Sequence, residues 1–579
     1  MGIHKLNKEI FYNKKLWTTK LPTKNIVIDG NSLMYHIWQN DKFHKYALIN
    51  DMEKYKVLLQ EFIMTLRLLG FIINIVVMDG TTNKLKIPSF IKRQQKKQKS
   101  IQKILRFIDN GISIQLMTDD INGLIHPFIR HIFVTTFKEL NIPIINAFEE
   151  ADSTVIYMAQ KFKSIVVATD SDYYFSNIIG YIPLKIFNKK EIKMYSVHKF
   201  INEYNISPHK LHLIGKLLGD DFHDPVIDGY EKNRLNKALE MIKNNKITLN
   251  PMTLPAKHQK DGLLGTCVNT NIVEALDIEY KDIKNVLSTE LLTKYIQCEL
   301  EPRIVNILIS DTFFMSCDCE DISKDPSILA GRLIRMFMYF LMNKNRVIEV
   351  IMKNNEFVFD QVDVTSILNV PNPINQYPKY TLQDNIFINT CRMLLPTDKI
   401  NNIELMAFIY AYINQSKVIS LHKIKISRRS LHLMAKYRNI LYSIFIYYQW
   451  TKQEIELSID TISLKNFHYY LDNPWEINKS DKPSQSDQSD QSDQSYQYDK
   501  INNFIACIIQ NNEYLTYIDM PTKPNTNNEL PNKYNHKLIN YKNKQSNKFK
   551  KCSNNNNNIA FNNICYINNP YDILMTYNI

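Results

Sequence analysis

Acidic side chains in this chain gather behind hydrophobic runs. Asp29 closes NIVID (25–29) and Asp79 closes INIVVMD (73–79). Glu150 and Asp152 follow IPIINAF (142–148), while Asp170 closes SIVVATD (164–170) and Asp172 follows it. An acid behind one strand is commonly a helix N-cap or a turn residue. Four successive runs ending this way form a different pattern, because the carboxyl ends of strands in an open parallel sheet share one edge. Six carboxylates meeting on one edge would repel unless cations neutralised them. Oxygen donors of this kind suit a hard divalent ion, Mg²⁺ or Mn²⁺, and not zinc. Asp221, in LLGDDF (217–222) at the end of a helical pattern, offers a seventh.

The elements that must position these acids are legible around them. The four runs are short, β-branched and mostly continuous, as expected for strands buried on both faces. Between them, residues 51–71 carry apolar side chains at 57, 58, 59, 62, 63, 66 and 69, and residues 151–162 repeat the amphipathic pattern. Segments 197–205 and 207–219 read as two further helices. Strands alternating with helices predict an α/β fold, a parallel sheet flanked by helices, over residues 1–235. Residues 236–475 read as a second, mainly helical domain, with helices over 326–343 and 402–414. From 476 to 579 the chain carries three Ser-Asp-Gln units (486–494) and five consecutive asparagines (554–558). Such composition cannot bury enough apolar surface to fold, so this tail is expected to be largely disordered.

A second chemical feature is a basic run. Residues 81–108 hold nine Lys or Arg and no acid, within a chain of formal charge +13. Lys92, Lys96, Lys97, Lys99 and Lys103 are candidate contacts to nucleic-acid phosphates. A solvated helix face or a nuclear-localisation signal are the competing uses of such a run. Pro88 places Lys86 ahead of the helix rather than on it.

Several classes fall away. The eight cysteines form no CxxC pair with zinc spacing and no dense disulfide framework, so reduced thiols are expected. His4, His36 and His223 fit no ligand spacing, and no glycine-rich phosphate loop is present. Tyr173 and Tyr174, beside the acids, read as core packing in preference to base stacking. The start carries no apolar stretch of secretory type, and the longest apolar runs are about half a membrane span. A soluble intracellular protein without membrane contact is the expectation.

MGIHKL, VIDGNSLMYHIW around Asp29, VMDG around Asp79, EEADSTVIYMA, ATDSDYYF and LLGDDF stand in the order and spacing found in the flap endonuclease/XPG superfamily, whose catalytic domain is PIN-like. Over residues 1–230 the chain resembles that superfamily, and most of all its asteroid branch. The resemblance implies a phosphodiesterase with two Mg²⁺ or Mn²⁺ ions. By motif position Asp29, Asp79, Glu150 and Asp152 would hold one ion, and Asp170, Asp172 and Asp221 the other. Asp152 stands where flap enzymes carry Glu, and its shorter side chain is expected to sit furthest from the metals. Lys86 and Arg93 match the spacing of the family's phosphate-gripping pair, on an arch that the basic run would form. Both are assigned to positioning phosphate and stabilising charge in the transition state.

Two departures restrict what carries over. Where flap enzymes follow LLG-x-D with a glycine-rich duplex clamp, this chain reads HDPVIDGYEKNRLNKALEMI, with one glycine. A C-terminal sliding-clamp motif is not evident either. The implied activity is a metal-dependent nuclease acting on single-stranded or overhanging DNA, in the nucleus rather than the cytoplasm. The alternative is a catalytically weak asteroid-type scaffold that binds nucleic acid or protein in signalling or mRNA control. All seven acid positions being filled favours the enzyme.

Overall fold

The computed structural model describes residues 6–39, 51–82, 87–112, 126–188, 190–219, 226–227, 233–244, 286–315, 318–353, 356–368, 370, 372, 374, 381–398, 400–413, 425–451, 464–473, 500–501 and 503–508. After helix α1 (Leu6–Tyr12), the first half alternates strands and helices: β1 (Trp17–Thr18), β2 (Asn25–Asp29), α2 (Gly30–Trp38), α3 (Met52–Leu68), β3 (Ile72–Met78), α4 (Ile87–Asp109), α5 (Ile129–Glu139), β4 (Ile144–Asn146), α6 (Ala151–Lys161), β5 (Ile165–Ala168), β6 (Tyr181–Pro183), β7 (Met194–Tyr195), α7 (Val197–Tyr204), α8 (Leu211–Leu218) and α9 (Arg234–Lys243). The seven strands form one sheet in the order β1-β7-β6-β5-β2-β3-β4. The five from β4 to β6 are parallel, while β7 and β1 add an antiparallel margin.

The continuous apolar strands have a direct cause. Val27, Ile75, Val77, Val166 and Ala168 face one hydrophobic core, and their neighbours Ile26, Ile28, Val76, Met78, Ile165 and Val167 face another. Helices cover both faces, so neither register of the pleat can be polar. The chain adds β3 and then β4 on one side of β2, and β5 and β6 on the other. That reversal makes a crevice at the carboxyl ends of β2 and β5.

The second half contains α10 (Thr289–Ile296), α11 (Pro302–Ser310), β8 (Thr312–Phe314), α12 (Arg332–Leu341), β9 (Arg346–Lys353), β10 (Glu356–Asp363), α13 (Leu382–Asp398), α14 (Asn402–Ile413), α15 (Arg428–Thr451) and α16 (Leu464–Asp472). It is mainly helical, as expected, but it also holds a three-stranded sheet ordered β10-β9-β8 that the helical reading passed over. β9 pairs antiparallel with β10 along its whole length and parallel with β8. Its apolar run is short enough to pass for helix when periodicity is the guide. The described residues on either side of position 235 share one hydrophobic core. In the tail, residues 503–508 are helical, with Phe504 and Ile508 buried and Phe504 against Phe387 and Tyr412. The rest of 476–579 apart from 500 and 501 lies outside the described residues.

Candidate metal centre

Asp29 is the last residue of β2 and only 5% exposed. Its Oδ1 accepts from the Ser32 N–H at 2.9 Å and its Oδ2 from the Ser32 hydroxyl at 2.8 Å, so it caps α2. The capping role and the cluster role therefore coincide in one side chain. The Tyr173 hydroxyl donates to Asp152 Oδ1 at 2.8 Å and lies 3.3 Å from Asp29 Oδ2. Burial, then the charges of Asp79 and Asp170, push the Asp29 carboxyl up to about 7 against the opposing Ser32 bonds.

Asp79 directly follows β3. Its Oδ1 accepts from the Ala151 N–H at 3.0 Å, which makes it the acceptor at the start of α6. Asn31 Nδ2 donates to its Oδ2, while the buried Asn31 Oδ1 has no hydrogen-bond partner. Glu150 occupies the N-cap position of α6, half-buried, without a capping bond from its side chain. Asp170 is buried, and its Oδ1 accepts from the Asp172 N–H at 3.3 Å. Tyr181 fixes the backbone there by donating to the Asp170 carbonyl at 2.7 Å.

Asp152, Asp170 and Asp172 each offer a carboxylate oxygen within 4.8 Å of the others. Asp152 therefore lies within reach of Asp170 and Asp172, and its Tyr173 partner also approaches Asp29. Burial first, then the charges of Asp170, Asp29, Asp172 and Asp79, push its carboxyl well above the ordinary range. Tyr173 reaches across to it and orients the carboxylate. Among the described residues, no Lys or Arg stands within ion-pair distance of Asp29, Asp79 or Asp152. Crowded oxygen donors of one sign and an orphaned amide oxygen beside Asp79 fit a hard divalent cation.

The basic run is the helix α4, which starts at Ile87 with Pro88 in its first turn. Ile87, Gln94, Gln98, Ile101 and Leu105 are buried, whereas Lys92, Lys96, Lys99, Lys103 and Arg106 are exposed at spacings of four and three. Lys97 is half-buried and Arg93 exposed. Asp109 at the end of α4 pairs with Arg428 at the start of α15. Lys86 and Asp221 lie outside the described residues, as does His223. α8 ends at Leu218, where Gly219 turns at φ +85°.

Sequence reasoning missed the groups that hold the edge together from afar. Gly80 packs so closely on the Ala147 and Phe148 carbonyls and the Tyr295 hydroxyl that no β-carbon fits. Tyr295, on α10, donates toward those same carbonyls at 3.1 and 3.0 Å. On α11, Asn306 Oδ1 accepts from the Thr82 N–H at 2.9 Å. These residues lie more than 140 positions away from what they hold, so no local signal marks them.

No family model matches the chain. Single-strand DNA endonuclease ASTE1 of Danio rerio is 22% identical over 244 residues, covering 38% of this chain and 33% of that protein. The resemblance to the asteroid branch of the flap endonuclease/XPG superfamily holds. The chain thus spans 33% of the length of the curated relative it matches. Among solved structures, human GEN1 in complex with Holliday junction DNA matches 42% of this chain and 55% of its own, at 15% identity and a TM-score of 0.27. The catalytic core of Rad2 in complex with a DNA substrate matches 53% of this chain and 99% of its own, at 12% identity and a TM-score of 0.29.

Proposed function

We propose that this chain is a divalent-metal-dependent nuclease that hydrolyses DNA phosphodiester bonds, with a preference for single-stranded or overhanging substrates. The convergence of Asp29, Asp79, Asp152, Asp170 and Asp172 at one sheet edge carries this reading. Two Mg²⁺ or Mn²⁺ ions, when bound, would clamp the scissile phosphate and activate water. Asp152, Asp170 and Asp172 are the ligands for which the geometry argues most directly, with Asp29, Asp79, Glu150 and Asp221 completing the set by motif position.

The chain's own groups supply preorganisation. Ser32 and Tyr173 orient Asp29, Tyr173 orients Asp152, and the Ala151 N–H and Asn31 orient Asp79. Fixed carboxylates of this kind need no rearrangement when charge develops on the phosphate. Arg93 and Lys86 are assigned to that phosphate, and the exposed stripe Lys92, Lys96, Lys99 and Lys103, with Lys97 beside it, to the strand that leads to it. The Danio rerio relative is named a single-strand DNA endonuclease, which supports the same preference.

Incubating the full-length chain with labelled single-stranded, overhanging and flapped DNA, with Mg²⁺, Mn²⁺ or EDTA, tests the reading. Cleavage restricted to the metal lanes and strongest on the first two substrates is expected. Binding without cleavage under every metal condition would replace the enzyme by the scaffold reading. A nuclear setting accompanies the proposed substrate and is checked by imaging the tagged full-length chain.

A further inference from the structure

Arg303 is the second residue of α11, in the half of the chain that the motifs do not cover. Asn306 lies one turn further on the same face and holds the backbone of Thr82, three residues beyond Asp79. The first turn of α11 therefore stands beside the loop that leaves the acidic edge. Arg303 Nη1 donates to the Tyr442 hydroxyl, and the guanidinium lies 5.1 Å from the centre of that ring. This is its single hydrogen bond among the described residues, and no described carboxylate lies within ion-pair distance of it. A half-buried guanidinium so placed keeps Nε and Nη2 available for another acceptor.

A second guanidinium stands nearby. Arg130, at the start of α5, donates to Asn146 Oδ1 at the carboxyl end of β4, and its Nε lies 3.8 Å from Glu301 Oε1. Glu301 also accepts from the Tyr442 hydroxyl at 3.3 Å, the same hydroxyl that accepts from Arg303, so it reaches Arg130 directly and Arg303 only through that tyrosine. The hydroxyl of Tyr35 responds to the same charges. Burial and Asp79 push its hydroxyl up, and Arg93, Arg303 and Arg130 pull it back. The Tyr35 hydroxyl thus feels Asp79 together with these charges, while the geometric tie to the acidic edge is Asn306 on the Thr82 backbone. One guanidinium more than local acids require is the arrangement that a phosphate completes.

We propose that Arg303, flanked by Arg130, forms a phosphate-binding subsite for the DNA backbone on the Asp79 side of the acidic edge. It would be supplied by the second half of the chain and separate from the basic face of α4. This inference rests on the nuclease reading and adds to it a grip that fixes where the strand runs beyond the acids.

The test is binding of a fluorescent twenty-nucleotide oligothymidylate to the full-length chain in EDTA, followed by anisotropy over a range of KCl concentrations. Arg303→Gln should weaken binding roughly tenfold, as expected for loss of a charged hydrogen bond. The slope of log affinity against log salt should fall by about 0.7, one phosphate contact on a single strand. Arg303→Lys should keep that slope. Tyr442→Phe, which removes the hydrogen bond but leaves the charge, should lower the melting temperature with the slope unchanged. A wild-type slope in Arg303→Gln, or an equal loss of slope in Tyr442→Phe, overturns the subsite and leaves the nuclease reading intact. If Arg303→Gln does not fold, Arg130→Gln decides in its place, and a wild-type slope there overturns the proposal. A wild-type chain that neither binds nor cuts DNA overturns both readings.

Discussion

Buried carboxylates occur in both halves of this chain, in opposite surroundings. On β9, Glu349 is fully buried and meets Arg335 Nε at 2.8 Å, Arg332 Nε at 2.9 Å and the Tyr339 hydroxyl at 2.9 Å. Burial drives its carboxyl up, but the Arg335 charge and hydrogen bonds outweigh burial and hold it below its ordinary value. Asp318 is paired in the same way with Arg438, through two contacts of 2.8 and 2.7 Å. At the parallel edge, Asp29 and Asp152 are nearly as enclosed, yet their neighbours are hydroxyls, amides and other acids. A buried charge must be neutralised somehow. In the second half the fold supplies the counter-charge, whereas at the edge no described Lys or Arg stands within ion-pair distance of Asp29, Asp79 or Asp152.

The largest expected effect breaks the edge itself. Asp170→Ala combined with Asp172→Ala should abolish metal-dependent cleavage while the melting temperature stays level or rises, since removing like charges relieves repulsion. Both quantities can be read on one preparation, by gel assay and calorimetry. Persistent cleavage in the double variant would put the chemistry elsewhere.

The reverse experiment belongs to the second half. Arg335→Leu strands Glu349 without its main counter-charge and should cost about 3–5 kcal/mol in denaturant unfolding. A loss as small as that of the edge variant would erase the contrast between the two kinds of carboxylate.

Acid sensitivity sharpens the comparison by sign. Burial, with lesser contributions from Lys138 and from Arg438, lowers His131 to about 4 and His468 to about 3. Each is neutral in the folded chain, so the unfolded chain takes up more protons between the ordinary histidine value and these depressed ones. Stability should be full above pH ~6.5 and fall as pH drops toward ~4, by on the order of 3 kcal/mol for His131 alone. The raised carboxyl of Asp29 has the opposite sign, contributing stability at low pH that is lost as pH rises through about 7. His131→Phe should flatten the acid limb of a melting-temperature profile, and an unchanged limb would move its origin to other groups.

The smallest effect tests how the edge is held. Tyr173→Phe removes the hydroxyl that orients Asp152 and Asp29. It should weaken Mg²⁺ in a cleavage titration by roughly tenfold, with about 1 kcal/mol or less lost in stability. Equal activity at every Mg²⁺ concentration would make Tyr173 a packing residue only.

The four strands were legible from the residues because a strand covered on both faces must be apolar at every position. The helices at Met52–Leu68 and Ala151–Lys161 were legible because one covered face leaves a 3.6-residue period. Acid positions behind those strands followed from the same reading, since parallel strands share an edge. The margin strands β1 and β7 were not legible, being two residues long and paired with distant partners, and hairpin β9–β10 was passed over although its strands are adjacent in the chain. The Tyr173 hydroxyl that orients Asp152, 21 residues away, carried no signal in the sequence. The clamps from Tyr295 and Asn306 were equally hidden. Periodicity and capping act within a few residues, so sequence determined what each segment becomes. Which groups meet across 148 and 224 positions was decided by how the second half packs on the sheet.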